Sequence, residues 1–358
     1  MSLLTNAGFD AAIASAVKPL VALLKSRREA GLAFIAKALQ TANLANLDSD
    51  QLASLAYDLQ RQLVATKTDA SRVSAVVGER MGDIASNARK EAVVAWGLSA
   101  QKELDPADKR NALLTTNTAG LFLMERDRAL SIRVSQRFAA AMESDRGKVG
   151  KAASKFDPYT FFSMPWGEKA EQQYWTLVCG AWLGKARNHS IAESFSDSGM
   201  EWCRIAAEID ERTTHTCRFL HMKRILVSSA KADTANLIAP NTTSNWIAEV
   251  PPPPIGGLAA DTQKPILLLP PDTPGSKPRP LAQRTEEHTV GTAQFDMGKY
   301  EQFVSDEELA KTLGPPPYHF LCRTLLVPDD YKDPLGLLAD VAQKPVPTGL
   351  DNLINSYL

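Results

Sequence analysis

The sequence predicts a mainly α-helical protein with a small α+β domain in its second half. Two observations lead to this fold class. Of the 22 prolines, only four precede residue 230, whereas ten fall between Pro251 and Pro280. Long helices tolerate proline poorly beyond their first turn, so the first part can be helical and the middle of the second part cannot. Apolar residues also change near residue 200 from helical spacing to the alternation typical of strands.

The composition is that of an ordinary globular protein, with 358 residues, 44% of them hydrophobic and 23% charged. At roughly 150 residues per domain, this length predicts about two domains. The 40 basic and 41 acidic residues give a net charge of −1, which excludes a dedicated DNA-coating protein because such proteins carry a large basic excess. No run of about 18 apolar residues occurs, and no basic residue precedes Lys18. We therefore expect neither a membrane span nor a secretory signal. The protein is expected to stay in the cytoplasm of the cell that makes it.

Residues 1–156 are predicted to form a helical domain. Asp48 or Ser49 can cap a helix, and Asp105 followed by Pro106 can begin another. Residues 117–145 have helical composition as well. The apolar stripes of two helices are Leu52, Leu55, Leu59 and Leu63, then Val73, Val77, Met81 and Ile84. Such stripes are typical of positions that face a bundle core and carry no chemistry.

Residues 157–228 are predicted to contain a long helix and the first half of the small α+β domain. The helix spans 167–193 and ends at Ser198-Gly199. A short strand is predicted from alternating side chains at 202–206, and two further short strands are predicted at 224–227 and 324–327. Cys179 and Cys203 are predicted to be core residues.

Residues 229–314 are predicted to be a long Pro-rich insertion or arm within that domain. The run Pro251–Pro254, followed by Ile255-Gly256-Gly257, has the composition of a polyproline-like segment. Loops of this length are uncommon inside a compact domain. Two interpretations stay open: an exposed arm along a neighbouring subunit, or a disordered insertion. Residues 315–358 then form the second half of the α+β domain and a C-terminal tail.

Two short motifs flank the insertion, at residues 210–221 and 315–323. Their candidate metal ligands are Cys217 and His221, four residues apart, and His319 and Cys322, three residues apart. Two pairs of thiolate and imidazole donors fit the tetrahedral coordination of Zn²⁺. The spacing therefore predicts a structural zinc site that pins the domain together. The alternative is that these are unrelated residues, a buried cysteine and a loop histidine among them.

The two motifs resemble the signature of the Mu-type minor head proteins of tailed bacteriophages, the head-morphogenesis family. That family typically reads Asp-x-Arg-Thr-x-x-x-Cys-x-x-Leu-(His/Asp)-Gly, and later Pro-Pro-x-His-Pro-x-Cys-Arg-Cys. The matching residues here are Asp210, Arg212, Thr213, Cys217, Leu220 and His221, then Pro315, Pro316, His319, Cys322 and Arg323. Upstream, Ala186-Arg187-Asn188 and Trp202 match a helical Ala-Arg-(Thr/Asn) and a strand tryptophan. The resemblance covers about residues 180–328 without the insertion.

The sequence also departs from the family pattern. Many members have cysteine where Thr214 and Thr324 stand, and Met222 and Phe320 replace a glycine and a proline. A site that uses those two extra cysteines cannot form here, whereas the Cys₂His₂ set is complete. His215 and His288 are spare candidates for a ligand.

The remaining motif residues are predicted to support the site. Asp210 can accept the free N–H of a ligating histidine. Arg212 can pair with Asp210 or hold the carbonyls of the turn, and a plain Asp–Arg turn is the alternative. Arg187 is predicted to anchor the long helix to the small domain through a buried ion pair. Arg323 also matches the second motif, and we predict a structural role for it.

A zinc ion with four protein ligands leaves no open position for water or substrate, and no catalytic motif is present. We therefore expect no enzyme. The resemblance implies a minor capsid protein of the virion, assembled in the host bacterial cytoplasm with portal and major capsid proteins, that affects DNA packaging or ejection. Homo-oligomerisation and contact with packaged DNA are further candidates, the latter through Lys25, Arg27 and Arg28 or Arg146, Lys148, Lys151 and Lys155. No membrane partner is expected. The alternatives are a zinc-dependent hydrolase and a toxin-associated module derived from the same family.

Overall fold

The structure is a computed structural model. It describes residues 2–41, 47–103, 119–120, 123–129, 131–132, 136, 168–207, 209, 213–232, 248–250, 264–269, 277–286, 298–318 and 322–331. Within these ranges the protein is mostly helical, with two small antiparallel sheets, which confirms the mainly α fold class. The predicted helix start at Asp105-Pro106 lies outside the described residues.

Four long helices make up half of the described chain: α1 (Asn6–Thr41), α2 (Ser49–Leu63), α3 (Lys67–Ala95) and α4 (Glu168–Asp197). The predicted cap of α2 is confirmed. Asp48 accepts the N–H of Gln51, and the Gln51 side chain accepts the N–H of Asp48, so two otherwise unpaired donors of the first turn are satisfied. Thr66 and Asp69 form the same reciprocal cap at α3.

Helix α4 lies at the centre of the bundle and packs against both α1 and α3. The predicted apolar stripe of α3 is confirmed, because Val73, Val77, Met81 and Ile84 are all buried. Helical residues within 119–136 pack closely on α3, where the Gly120 N–H donates to Ser74 Oγ at 3.0 Å. As predicted, α4 ends at Ser198-Gly199, with Gly199 at a φ of 73°.

Helix α1 is apolar over much of its length. By length and composition alone, residues Asn6–Ala38 could cross a membrane. In this structure Phe9, Ile13 and Leu20 are instead buried in the bundle core. Apolar helices of this kind occur in the cores of globular proteins as well as in membranes.

The first sheet is built from the three predicted strands. They are β1 (Trp202–Ala206), β2 (Arg224–Leu226) and β7 (Leu325–Pro328), in the order β2-β1-β7 with both pairs antiparallel. Two short helices, α5 (His215–Leu220) and α6 (Val227–Ala232), lie before and after β2. Cys203 and Ile205 of β1 are buried, whereas Trp202 and Arg204 are half-buried, as alternation predicts.

The second sheet lies within the region predicted to be an insertion or arm. Its strands are β3 (Ala248–Val250), β4 (Ile266–Leu269), β5 (Arg279–Arg284) and β6 (Tyr300–Gln302), an antiparallel meander followed by α7 (Asp306–Thr312). Leu267, Leu281 and Ala282 are buried. Instead of an extended arm, the described part of 229–314 thus contains folded structure with its own apolar residues in the core. Pro280 is accommodated in β5 beside a register irregularity at Leu267/Leu268, where a missing N–H is tolerated.

Candidate site around Cys217 and Cys322

The two motifs meet at a contact between thiols. Thr214 caps α5 and accepts the N–H of Cys217 at 3.3 Å, which fixes the first turn of this helix. The thiol of Cys217 then lies against that of Cys322, just before β7, with 3.7 Å between the sulfur atoms. The two residues are 105 positions apart in sequence, and their exposed fractions are only 3% and 1%.

Two hydroxyl groups complete a small polar cluster around these sulfurs. Thr324 Oγ1 donates to Cys217 Sγ at 3.1 Å and is itself buried. The hydrogen bond with Cys322 and the burial of the site raise the pKa of Cys217 well above its ordinary value, while hydrogen bonds from Thr324 and Thr214 act in the opposite direction. Cys217 is therefore a neutral thiol near neutral pH. We call Thr214, Cys217, Cys322 and Thr324 the thiol–hydroxyl cluster.

The membership of this cluster bears on the family resemblance. Cys217, Cys322 and Thr324 stand at cysteine positions of the pattern given above, and many members of the resembling family also have cysteine where Thr214 stands. Their side chains nevertheless stay together around Cys217. A pair of thiols and a pair of hydroxyls can satisfy one another by hydrogen bonds, but hydroxyls are poor substitutes for thiolates as Zn²⁺ ligands.

Two adjacent residues of α4 hold the second motif in place. Arg187 is fully buried and donates through Nη2 to the carbonyls of Arg323 and Thr324, at 2.8 and 2.9 Å. It also donates through Nη1 to the Leu3 carbonyl at 3.3 Å, and its guanidinium stacks over the Phe9 ring. Arg187 was predicted to anchor α4 through a buried ion pair. Its hydrogen-bond partners in the described part of the chain are instead main-chain carbonyls.

Burial of the guanidinium lowers the pKa of Arg187 to about 10, so the group remains a cation at neutral pH. Three carbonyl oxygens and an aromatic face surround the charge, which offsets part of the cost of removing it from water. Asn188, the next residue, donates to the Thr324 carbonyl and accepts the N–H of Leu326, both at 3.0 Å.

His221 has a different environment from the one predicted. It ends α5, and its Nδ1 accepts the N–H of Ala207 at 3.1 Å. Burial lowers the pKa of His221, so the ring is neutral at neutral pH and, with Nδ1 accepting, we assign its proton to Nε2. In this arrangement neither ring nitrogen offers a lone pair to a metal, and His221 would have to give up its bond with Ala207 to bind one.

The other candidates are divided between described and undescribed residues. His319, Asp210, Arg212 and His288 lie outside the described residues. Arg323 is half-buried, and its carbonyl accepts from Arg187. Among the residues that the structure describes, no group of three or more His, Cys, Asp or Glu side chains is arranged to hold a metal. The Cys₂His₂ zinc site therefore stays a prediction, with two of its four residues in contact.

His215, the spare ligand candidate, connects the cluster helix to the second sheet. Its Nδ1 lies 3.2 Å from Nη1 of the buried Arg284 on β5 and 3.3 Å from the Tyr300 hydroxyl on β6. Tyr300 also packs against Phe219 of α5. Arg284 and Tyr300 were not predicted as partners, because no short-range pattern relates them to His215.

No role was predicted from the sequence for Asn188 or for the two threonines of the cluster. A signal was available for Thr214 and Thr324, since they occupy cysteine positions of the family pattern, but only their positions in space give them a role. Comparisons with models of protein families, with curated proteins and with solved structures found no match to this chain.

Proposed function

We propose that this protein is a minor capsid protein of a tailed bacteriophage, with a role in head morphogenesis beside the portal and major capsid proteins. The observation that carries the proposal is the thiol–hydroxyl cluster. Cys217 and Cys322, one from each motif, are in contact although they lie 105 residues apart, and Thr214 and Thr324, at positions where many family members carry cysteine, lie beside them. Unrelated residues have no reason to meet in this way, so the contact supports reading both motifs as one signature.

The chemistry of the cluster favours a structural role over catalysis. Both thiols are almost completely buried, and the cluster lies between α5 and the segment before β7, where it ties the two halves of the first sheet together. Arg187 and Asn188 fasten the same segment to the helical bundle. Such an arrangement keeps a bundle and a small α+β unit in fixed relation, which suits a protein that must present surfaces to other head proteins.

We also propose zinc bound by Cys217, His221, His319 and Cys322 as a reinforcement of this junction. The two thiols supply half of the ligand set, and their contact supports binding of both to one metal ion. To bind zinc, the ring of His221 would have to rotate away from the Ala207 N–H. The junction between the motifs does not depend on zinc, because the hydrogen bonds of the cluster already connect them.

DNA contact through the first basic cluster receives less support than contact with proteins. Arg27 pairs with Asp69 at 3.2 Å and with Asp127 at 3.0 Å, and Lys25 lies 4.0 Å from Glu29. Phosphates would have to compete with these carboxylates for the same cations. The second basic cluster, residues 146–155, lies outside the described residues.

Particle composition tests the proposal directly. Phage particles from the bacterium that carries the gene are purified by density gradient and treated with nuclease, and their proteins are identified by mass spectrometry. We expect this chain in procapsids and in mature particles, cross-linked to portal, in far fewer copies than the major capsid protein. The variant Arg187→Ala should be lost from particles, whereas Arg72→Ala, at an exposed position of α3, should be retained. Particles of full composition and infectivity that lack the chain would overturn the proposal.

A further inference from the structure

We infer that Cys217 and Cys322 are a latent disulfide, which forms when a thiol oxidant reaches them and then joins the two motifs covalently. The inference rests on the contact between these side chains and goes beyond the proposed function. It assigns a covalent modification to two residues that the zinc proposal treats as metal ligands.

The geometry needs little adjustment. The sulfur atoms are in direct contact at 3.7 Å, and a disulfide brings them to about 2.05 Å, so closing the gap takes less than 2 Å shared between two side chains. The described ranges include all four cysteines of the chain, and each is present as a free thiol. Within those ranges the thiol-to-thiol contact is confined to this pair, because Cys203 instead lies against the Ile225 carbonyl.

The pair does not oxidise without a co-reactant. Forming the bond removes two protons and two electrons from the two thiols, and a low-molecular-weight disulfide such as oxidised glutathione can accept them. One cysteine attacks the small disulfide and releases one small thiol. The second cysteine then attacks the mixed disulfide, the sulfur–sulfur bond between Cys217 and Cys322 forms, and the second small thiol leaves. Since both thiols are buried, the first step needs a local opening of the site.

The consequence is a junction with two states. In the reduced state the motifs are connected by hydrogen bonds of the thiol–hydroxyl cluster, and in the oxidised state by a covalent bond that closes a loop of more than 100 residues. Long loops are those for which a cross-link restricts the unfolded chain most. If the chain is a virion component, as the proposed function has it, the change would follow release from the reducing cytoplasm.

The test uses the purified full-length protein. The protein is reduced, treated with a chelator so that no metal masks the thiols, freed of both reagents and incubated with oxidised glutathione about 10 °C below its Tm. Free thiols are counted in denaturant, and disulfide-linked peptides are identified by mass spectrometry. We expect the count to fall from four to two, a linked peptide that contains Cys217 and Cys322, full reversal by dithiothreitol, and a Tm higher by about 5 °C.

Matched variants separate this pair from the other cysteines. Cys179→Ala and Cys203→Ala should each leave the linked peptide unchanged, and Cys217→Ser or Cys322→Ser should abolish it. Peptide mapping of the unmodified sequence keeps the test valid where a variant does not fold. Retention of four free thiols, or linkage of Cys217 to a different cysteine, would overturn the inference. Because the protein is studied in isolation, either result is independent of whether the chain is found in phage particles.

Discussion

The side chain of Asn188 takes the place of a neighbouring strand beside Leu326. Its Oδ1 accepts the Leu326 N–H and its Nδ2 donates to the carbonyl of Thr324, both at 3.0 Å. These are the main-chain groups that β7 presents on the side away from β1. An unpaired strand edge invites pairing with other chains, so a helix residue here closes the first sheet and fastens it to the bundle at the same time.

Replacing Asn188 should therefore destabilise the junction. Asn188→Ala removes both hydrogen bonds. The buried Leu326 N–H then has no partner, whereas the Thr324 carbonyl still accepts from Arg187, so we expect a loss of about 1–3 kcal/mol of unfolding free energy. Urea unfolding followed by circular dichroism measures the change. Gln172→Ala, at an exposed position of the same helix, should stay within about 0.5 kcal/mol of the unmodified protein. Equal stabilities of the two variants would contradict the role of Asn188.

Arg187 is expected to be irreplaceable by lysine. A lysine keeps the charge but not the planar fork that reaches the carbonyls of Arg323 and Thr324 together. Arg187→Lys should lower the unfolding free energy by about 2 kcal/mol or more, measured as above. The control is Arg80→Lys, where the guanidinium is more exposed and pairs with Asp83 over one helical turn; its effect should be near zero.

Two glycines should respond to alanine in opposite directions. A Cβ on Gly120 would overlap the Ala70 carbonyl oxygen and lie 2.7 Å from Ser74 Oγ, both closer than van der Waals contact allows, so Gly120→Ala should destabilise by about 1–3 kcal/mol through overpacking. At Gly82, inside α3, nothing lies within 4 Å of the added atom. Gly82→Ala should therefore stabilise by about 0.5–1 kcal/mol, because glycine is a poor helix former. Thermal unfolding of both variants checks the sign.

Zinc content tests the proposed ligand set. If Cys217, His221, His319 and Cys322 bind the metal, reduced protein purified without chelator should contain about one zinc per chain by mass spectrometry. Cys217→Ser and His319→Ala should lose it together with thermal stability, and His215→Ala should keep it. Protein free of zinc after purification in zinc-supplemented medium would show that the cluster operates through hydrogen bonds alone.

Introducing cysteine at the two threonine positions of the cluster should create a stronger metal site. In the double variant Thr214→Cys, Thr324→Cys, four thiolates surround one point, which is the preferred structural environment of Zn²⁺. We expect one zinc per chain that resists a chelator able to strip the unmodified protein, and a Tm that rises on zinc addition. Thr312→Cys, exposed on α7, is the control and should leave zinc retention unchanged. If the double variant binds no more tightly, the four side chains do not point to a common centre.

The sequence predicted elements whose signals are local. The reciprocal cap at Asp48, the stripe through Val77 and Met81, and the end of α4 at Gly199 depend on neighbours within a few residues, and all were found. The three strands of the first sheet were also found, and β1 has a local signal of this kind, the alternation of side chains over five residues. The second sheet was missed because its strands lie among prolines that normally indicate irregular structure.

The candidate site shows the corresponding limit. Residue spacing drew attention to Cys217 and Cys322, which are in contact. It could not show that Thr324 would occupy a place beside Cys217, or that the nearest partner of His221 would be a main-chain N–H of Ala207. Those relations depend on how β1 and β7 bring distant segments together, and nothing local encodes them.

The pairing of β1 with β7 also sets the order in which the protein can be completed during translation. Cys203 lies opposite Pro328 and Ala206 opposite Leu325, so the first sheet lacks a strand until residue 328 has left the ribosome. Until then the groups of Arg187 and Asn188 that bind Arg323, Thr324 and Leu326 lack these partners, whereas the Leu3 carbonyl is already available to Arg187. A nascent chain stalled before β7 therefore has unpaired polar groups and an incomplete sheet, a state that chaperones would recognise and that synthesis of the last strand would end.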